Sequence, residues 1–114
     1  MKYLPAYLLG AIVLSGCATK PIEYYYGNYE KAYYHNTKDG TPQSLEKYQK
    51  ALEDVIQTSE KKGMRVPPGV YCEYGYLLSK KGSSEAGRYF DLEVQTYPES
   101  ARFIAFLKTQ LNQK

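Results

Sequence analysis

Apolar residues recur along most of this chain three and four positions apart, the period of a helix buried along one face. The longest stripe is Leu45, Tyr48, Leu52, Val55 and Ile56. Thr41 stands where a hydroxyl caps the first turn, and Pro42 where a missing N–H costs nothing. Glu46 and Lys50 form an i, i+4 pair on the opposite, solvated side, and Gly63 stops the helix. Upstream, Tyr26, Tyr29 and Tyr33 have helical spacing and predict a first helix whose rings pack on the next one. The sharper alternative for residues 24–34 is an aromatic patch facing lipid or stacking on carbohydrate. Residues 36–40 (Asn-Thr-Lys-Asp-Gly) read as a turn. Downstream, Val70, Tyr71, Tyr74, Leu77 and Leu78 make a third stripe, closed by Lys80, Lys81 and Gly82. A fourth helix, capped by Ser83 or Ser84 with Glu85 in its first turn, turns Ala86, Tyr89, Phe90, Val94 and Tyr97 inward and ends at Pro98. A fifth, from Glu99 or Ser100, buries Phe103, Ile104, Leu107 and Leu111. Five helices with short connections and no strand pattern predict an all-α domain of antiparallel helix pairs.

The first sixteen residues follow a different rule. Met1-Lys2 gives a small positive start, and residues 3–14 are uncharged and mostly apolar. Small residues then precede Cys17. That order belongs to a secretory signal, and the run is too short to span a bilayer. Leu14-Ser15-Gly16-Cys17 resembles the bacterial lipobox. The resemblance implies cleavage before Cys17, acylation of that cysteine and attachment to a membrane through its fatty-acyl chains. Ala18, standing where Asp would retain a lipoprotein in the inner membrane, implies the outer membrane. Residues 17–23 then form an acylated tether reaching at most about 20 Å, and residues 24–114 the helical domain.

Composition narrows the function. Removing the signal leaves one small domain. The signal holds one of 15 basic residues and none of 12 acidic ones, so the remainder is close to neutral and offers no electrostatic case for nucleic acid. Cys72 has no partner within the chain once Cys17 carries lipid, which excludes an internal disulfide scaffold. Fourteen Tyr, three Phe and no Trp predict a core threaded with hydroxyl hydrogen bonds or open at its edges.

Tyr71, Tyr74, Gly75, Leu78, Gly82, Ala86, Phe90 and Pro98 resemble one tetratricopeptide repeat, in which Gly75 and Ala86 are small where paired helices approach most closely. Two features depart from that pattern: a turn one residue short, and Glu93 where a small apolar residue belongs. The chain after the signal is also similar to a family of small bacterial lipoproteins called domain of unknown function 4810. The similarity rests on the lipobox, Tyr26-Gly27-Asn28-Tyr29, Arg65-Val66-Pro67-Pro68-Gly69 and Tyr97-Pro98-Glu99-Ser100-Ala101. It makes Glu93 a family trait. It also implies a place in an envelope complex beside a lipoprotein resembling the curli-secretion pore, and no catalytic residue.

The residues offer little chemistry. His35 is the single histidine and lacks metal-ligand spacing. Cys72 as a nucleophile would need His35, two helices away. Glu93, a conceivable general acid, is expected to pair with a tyrosine hydroxyl or Arg88. No phosphate-cradling glycine loop or Ser-His-Asp set is present, and no cofactor or metal is expected. The expected function is a non-catalytic adaptor that binds another envelope protein. A pilotin-like chaperone for a pore subunit is the alternative, and a cell-wall hydrolase the third reading. By analogy with tetratricopeptide repeats, the partner-binding wall is assigned to Gly69, Cys72, Tyr76, Ser79 and Lys80. The competing expectation is that the fifth helix or residues 24–34 cover that wall and bury Tyr76.

Overall fold

The computed structural model describes residues 21–112, so the signal, the lipobox and Cys17 lie outside the described residues. Five α-helices follow in order: α1 Tyr29–Asp39, α2 Pro42–Lys61, α3 Val70–Lys80, α4 Ala86–Thr96 and α5 Ala101–Asn112. A single 3-10 turn, Pro98–Ser100, precedes α5. No strand occurs among the described residues, and the fold is all-α.

The start of α2 shows how local chemistry sets the boundaries. Thr41 Oγ1 accepts the Ser44 N–H at 3.1 Å, and Ser44 Oγ accepts the Thr41 N–H at 3.0 Å. This reciprocal box satisfies two donors that a helix start leaves orphaned, and Pro42 occupies the first helical position. The expected turn at 36–40 is shorter than the sequence suggests. Helix α1 runs through Asp39, and only Gly40 turns, its φ of 59° placing it in the left-handed region. Asn36, Thr37 and Lys38 tolerate turns without requiring them, so the helix continues until a residue must take positive φ.

Consecutive helices pack against one another: α1 on α2, α2 on α3, and α3 on α4. Helix α5 is held through the Pro98–Ser100 turn and α4. The larger buried cluster joins Ala32, Tyr48, Leu52, Val55, Ile56, Val66, Val70 and Tyr71. A second, Leu78, Ala86, Phe90 and Ile104, ties α3 and α4 to α5. Three expectations about the stripes change. Leu45 is 37% exposed while Ser44 is buried, because the capping box turns Ser44 inward. Phe103 is 57% exposed, since Ile104 supplies the buried contact of α5. The start of α4 moves to Ala86: Ser83 does not cap it but accepts the N–H of Glu85, in the turn before the helix.

Gly75 sits where α3 and α4 come closest. A Cβ built there would lie 3.0 Å from the Phe90 ring and 3.1 Å from the Ala86 carbonyl oxygen. The tyrosines behave as their hydroxyls demand. Tyr71 donates to Glu60 at 2.7 Å, Tyr74 to Glu53 at 3.1 Å, and Tyr97 to the buried Val66 carbonyl at 2.6 Å. The first-helix rings divide between the two readings of residues 24–34. Tyr29 packs against Tyr48 with ring centroids 6.1 Å apart, whereas Tyr26, Tyr33 and Tyr34 keep exposed faces.

Candidate functional site

The N-terminus of α3 is the best-built feature of the fold. Gly69 caps it without a side chain, leaving the first N–H groups to find partners elsewhere. Glu93, on α4, supplies one: its Oε1 accepts the Cys72 N–H at 3.1 Å. The expected partners of Glu93, a tyrosine hydroxyl or Arg88, are thus replaced by backbone. Arg88 lies over the Tyr89 ring, 5.0 Å from its centroid. Glu93 is only 2% exposed, and burial pushes its carboxyl above the usual range, while the Cys72 and Gly69 N–H groups pull it back down. A carboxylate at a helix N-terminus also meets the positive end of the helix dipole.

Glu93 forms part of the wall of a groove of about 710 Å³. One side of the groove is the face of α3 carrying Gly69, Cys72 and Tyr76, and the other is Phe103, Ile104 and Leu107 of α5. Asn36 of α1 and Tyr48 of α2 border it as well. Of the five residues assigned to the wall, three therefore line one groove. Ser79 and Lys80, a turn further along α3, do not line it. Lys80 instead places its Nζ 5.2 Å from the centre of the Tyr76 ring. Helix α5 faces the wall without closing it, and Tyr76 stays 36% exposed.

The groove is poor in reactive groups. Cys72 is a free, half-buried cysteine whose thiol is pushed up to about 11, first by burial and then by Glu93 and Glu73, so it holds its proton at neutral pH. His35 lines a separate hollow of about 650 Å³ between α1 and α2, where it faces Asp39 at 3.9 Å. Among the described residues no group of three His, Cys, Asp or Glu side chains could hold a metal.

The profile of a protein family described as a domain of unknown function (DUF4810) matches residues 24–107. The chain belongs to this family. No curated protein and no solved structure matches it. In this DUF4810 protein the matched span contains every residue that lines the groove, from Asn36 to Leu107. It also contains three segments that meet around the start of α3. Arg65 Nη2 donates to the Thr96 carbonyl at 3.0 Å, and its guanidinium lies over the Tyr97 ring. With the Tyr97–Val66 bond, these contacts join residues 65–69 to residues 97–101. Tyr29, from the third segment, donates to both carboxylate oxygens of Glu73, at 2.9 and 2.8 Å.

Sequence reasoning brought α5 to this wall only as a cover that buries Tyr76, not as the second wall of an open groove, although the signal was present. Phe103 and Phe106 widen the apolar arc of α5 beyond what Ile104, Leu107 and Leu111 need for one packing face. A helix with such an arc has a second apolar neighbour or an exposed one. Phe103 and Phe106 are 57% and 58% exposed.

Proposed function

We propose that the protein is an acyl-anchored lipoprotein of the outer membrane, facing the periplasm, and that it acts as a non-catalytic adaptor holding another envelope protein in the α3–α5 groove. The observation that carries this reading is the groove itself: open, largely apolar, and lined by the exposed rings of Tyr76 and Phe103, large side chains that a folded chain ordinarily covers. Placing α1–α2 and α3–α4 as two tetratricopeptide-like pairs, with α5 in the position of the next pair's first helix, supports the same reading. In such an array the first helices of successive pairs line one shared face. The protonated Cys72, and the placing of Cys72 and His35 in different hollows, argue against hydrolysis.

Anchoring and capture are tested separately. Cys17→Ser should accumulate as an unprocessed, unacylated precursor, because Cys17 is the acyl acceptor in this reading. A Cys17→Ser protein that matures to the wild-type mass would refute the lipobox assignment. For capture, a photo-crosslinking amino acid replaces Tyr76 in the native envelope, and crosslinked species are identified by mass spectrometry. One recurrent envelope protein, lost when Phe103 is also changed to Asp, supports the adaptor reading. Crosslinks spread over unrelated proteins and indifferent to Phe103 would sink it.

A further inference from the structure

The groove also constrains what can occupy it, and this inference rests on the adaptor reading above. We infer that the occupant is an amphipathic helix of the partner protein, about three turns long, carrying a Lys or Arg beside its apolar stripe.

The apolar part of the inference follows from the walls. Cys72 and Tyr76 on one side and Phe103 and Leu107 on the other face a space of about 710 Å³. Helix α5 has 12 residues, a length of about 18 Å. A partner helix of that length offers apolar anchors at i, i+3 or i+4, and i+7.

The helical part follows from the backbone. An extended peptide gains affinity by pairing its N–H and C=O groups with an exposed strand edge. Helices make up both walls, and no strand edge exists among the described residues. A helix arrives with its own backbone bonds already made, so burying it against apolar walls strands few polar groups.

The cationic part follows from charge. The chain as a whole carries +3, yet among the described residues no Lys or Arg lines the groove, Lys80 reaching only the Tyr76 ring at its edge, and the charged lining residues are Glu73, Glu93 and Glu99. Glu93 is buried against the Cys72 N–H, and Glu73 holds the Tyr29 hydroxyl. Glu99 is exposed and makes no hydrogen bond or ion pair among the described residues. A partner carboxylate entering here meets like charge, and a partner cation meets a carboxylate open to it.

Three labelled 16-residue helical peptides test this. They share one Leu/Phe stripe and differ at a single flanking position, occupied by Arg, Gln or Glu. Binding to the full acylated protein in zwitterionic nanodiscs is read by fluorescence anisotropy, with empty nanodiscs as the blank. The Arg peptide should bind about tenfold more tightly than the Glu peptide, as expected for one partly solvated charge pair, with the Gln peptide between. Raising the salt concentration and changing Glu99→Gln should each narrow that gap. Phe103→Asp should weaken all three peptides. Both residues are exposed, so the variants should keep the wild-type melting curve. Equal affinity for the Arg and Glu peptides overturns the charge assignment. Tighter binding of an extended, proline-broken control overturns the helix. In either case the Tyr76 crosslink still reports whether the groove binds a protein at all, so failure of this inference is distinguishable from failure of the adaptor reading.

Discussion

The same substitution should have opposite effects at two glycines of the α3–α4 pair. Replacing a helical Gly by Ala gains about 0.5–1 kcal/mol from backbone entropy and propensity where the new methyl has room. Gly87, in the first turn of α4, has nothing within 4 Å of a built Cβ. Gly87→Ala should therefore stabilise, towards the low end of that range because it lies near the helix terminus. At Gly75 the methyl would meet the Phe90 ring at 3.0 Å and the Ala86 carbonyl oxygen at 3.1 Å. The ring can yield by a few tenths of an ångström, but the carbonyl belongs to the backbone of α4 and moves only if the helix does. Overpacking of this kind costs about 1–3 kcal/mol, which outweighs the propensity gain and leaves Gly75→Ala destabilising by about 0.5–2 kcal/mol. Thermal unfolding followed by circular dichroism reads the difference, since 1 kcal/mol moves the Tm of a domain this size by about 4–8 °C. Gly75→Leu should cost more than Gly75→Ala. In a Phe90→Leu background the Gly75→Ala penalty should shrink but persist, because the Ala86 carbonyl remains. If Gly75→Ala raises the Tm as Gly87→Ala does, the close approach of α3 and α4 is wrong.

Three further outcomes follow from single contacts. Thr41→Ala removes the acceptor for the Ser44 N–H and should cost about 1 kcal/mol, seen as a lower denaturation midpoint with an unchanged slope. Ser59 is fully buried and its Oγ has no hydrogen-bond partner among the described residues, so Ser59→Ala should stabilise by about 1 kcal/mol; a loss of stability would reveal a partner for that hydroxyl. Glu93 has its folded-state pKa raised by burial, so its protonated form is favoured in the fold. The stability it contributes is fully present below the ordinary carboxylate range and is lost as pH rises through the raised value. Relative to Glu93→Gln, which keeps an acceptor for the Cys72 N–H without a charge, the wild type should gain stability between pH 7 and pH 4. Over that window the neighbouring Cys72 and Tyr97, both raised by burial, stay protonated in the two proteins alike. A wild-type minus Gln difference that is flat with pH would show that the carboxyl is not buried as described.

Most of the fold was legible because its signals are local. The Thr41-Pro42 start, the Glu46–Lys50 pair at 3.0 Å and the small residue at Gly75 each depend on neighbours in sequence or on one packing period. What was misread depends on competition between positions. Ser44 displaced Leu45 from the interior because a capping box fixes its rotation. Ile104 displaced Phe103 because α5 has room for only one of them against Leu78, Ala86 and Phe90. The groove was half legible for the same reason. Its α3 wall could be placed by counting along one helix, but its α5 wall required knowing where the chain goes after Pro98.

The residue that breaks the repeat pattern also explains how the groove keeps its shape. A small apolar residue at position 93 would let α4 sit against α3 but would leave the Cys72 N–H without this acceptor, because the Gly69 cap has no side chain to offer. Glu93 fills that role from the neighbouring helix, at the expense of burying a carboxyl. The surrounding contacts hold the same helix end in place. Tyr97 and Arg65 join residues 65–69 to the start of the final turn, and Tyr29 fixes Glu73 in the first turn of α3. Gly27 does the same for the segment before α1 against α2: its φ of 49° disfavours a side chain, and the Tyr25 hydroxyl donates to Asp54 at 2.8 Å beside it. The segments that carry the family resemblance therefore converge on the rigid placement of α3 and on its junction with the turn leading to α5, the two walls of the groove. A fold that needed only stability could have used apolar packing at these points. Spending buried polar groups there fixes the spacing of two helices whose facing side chains are left uncovered, which is what a preorganised binding site requires.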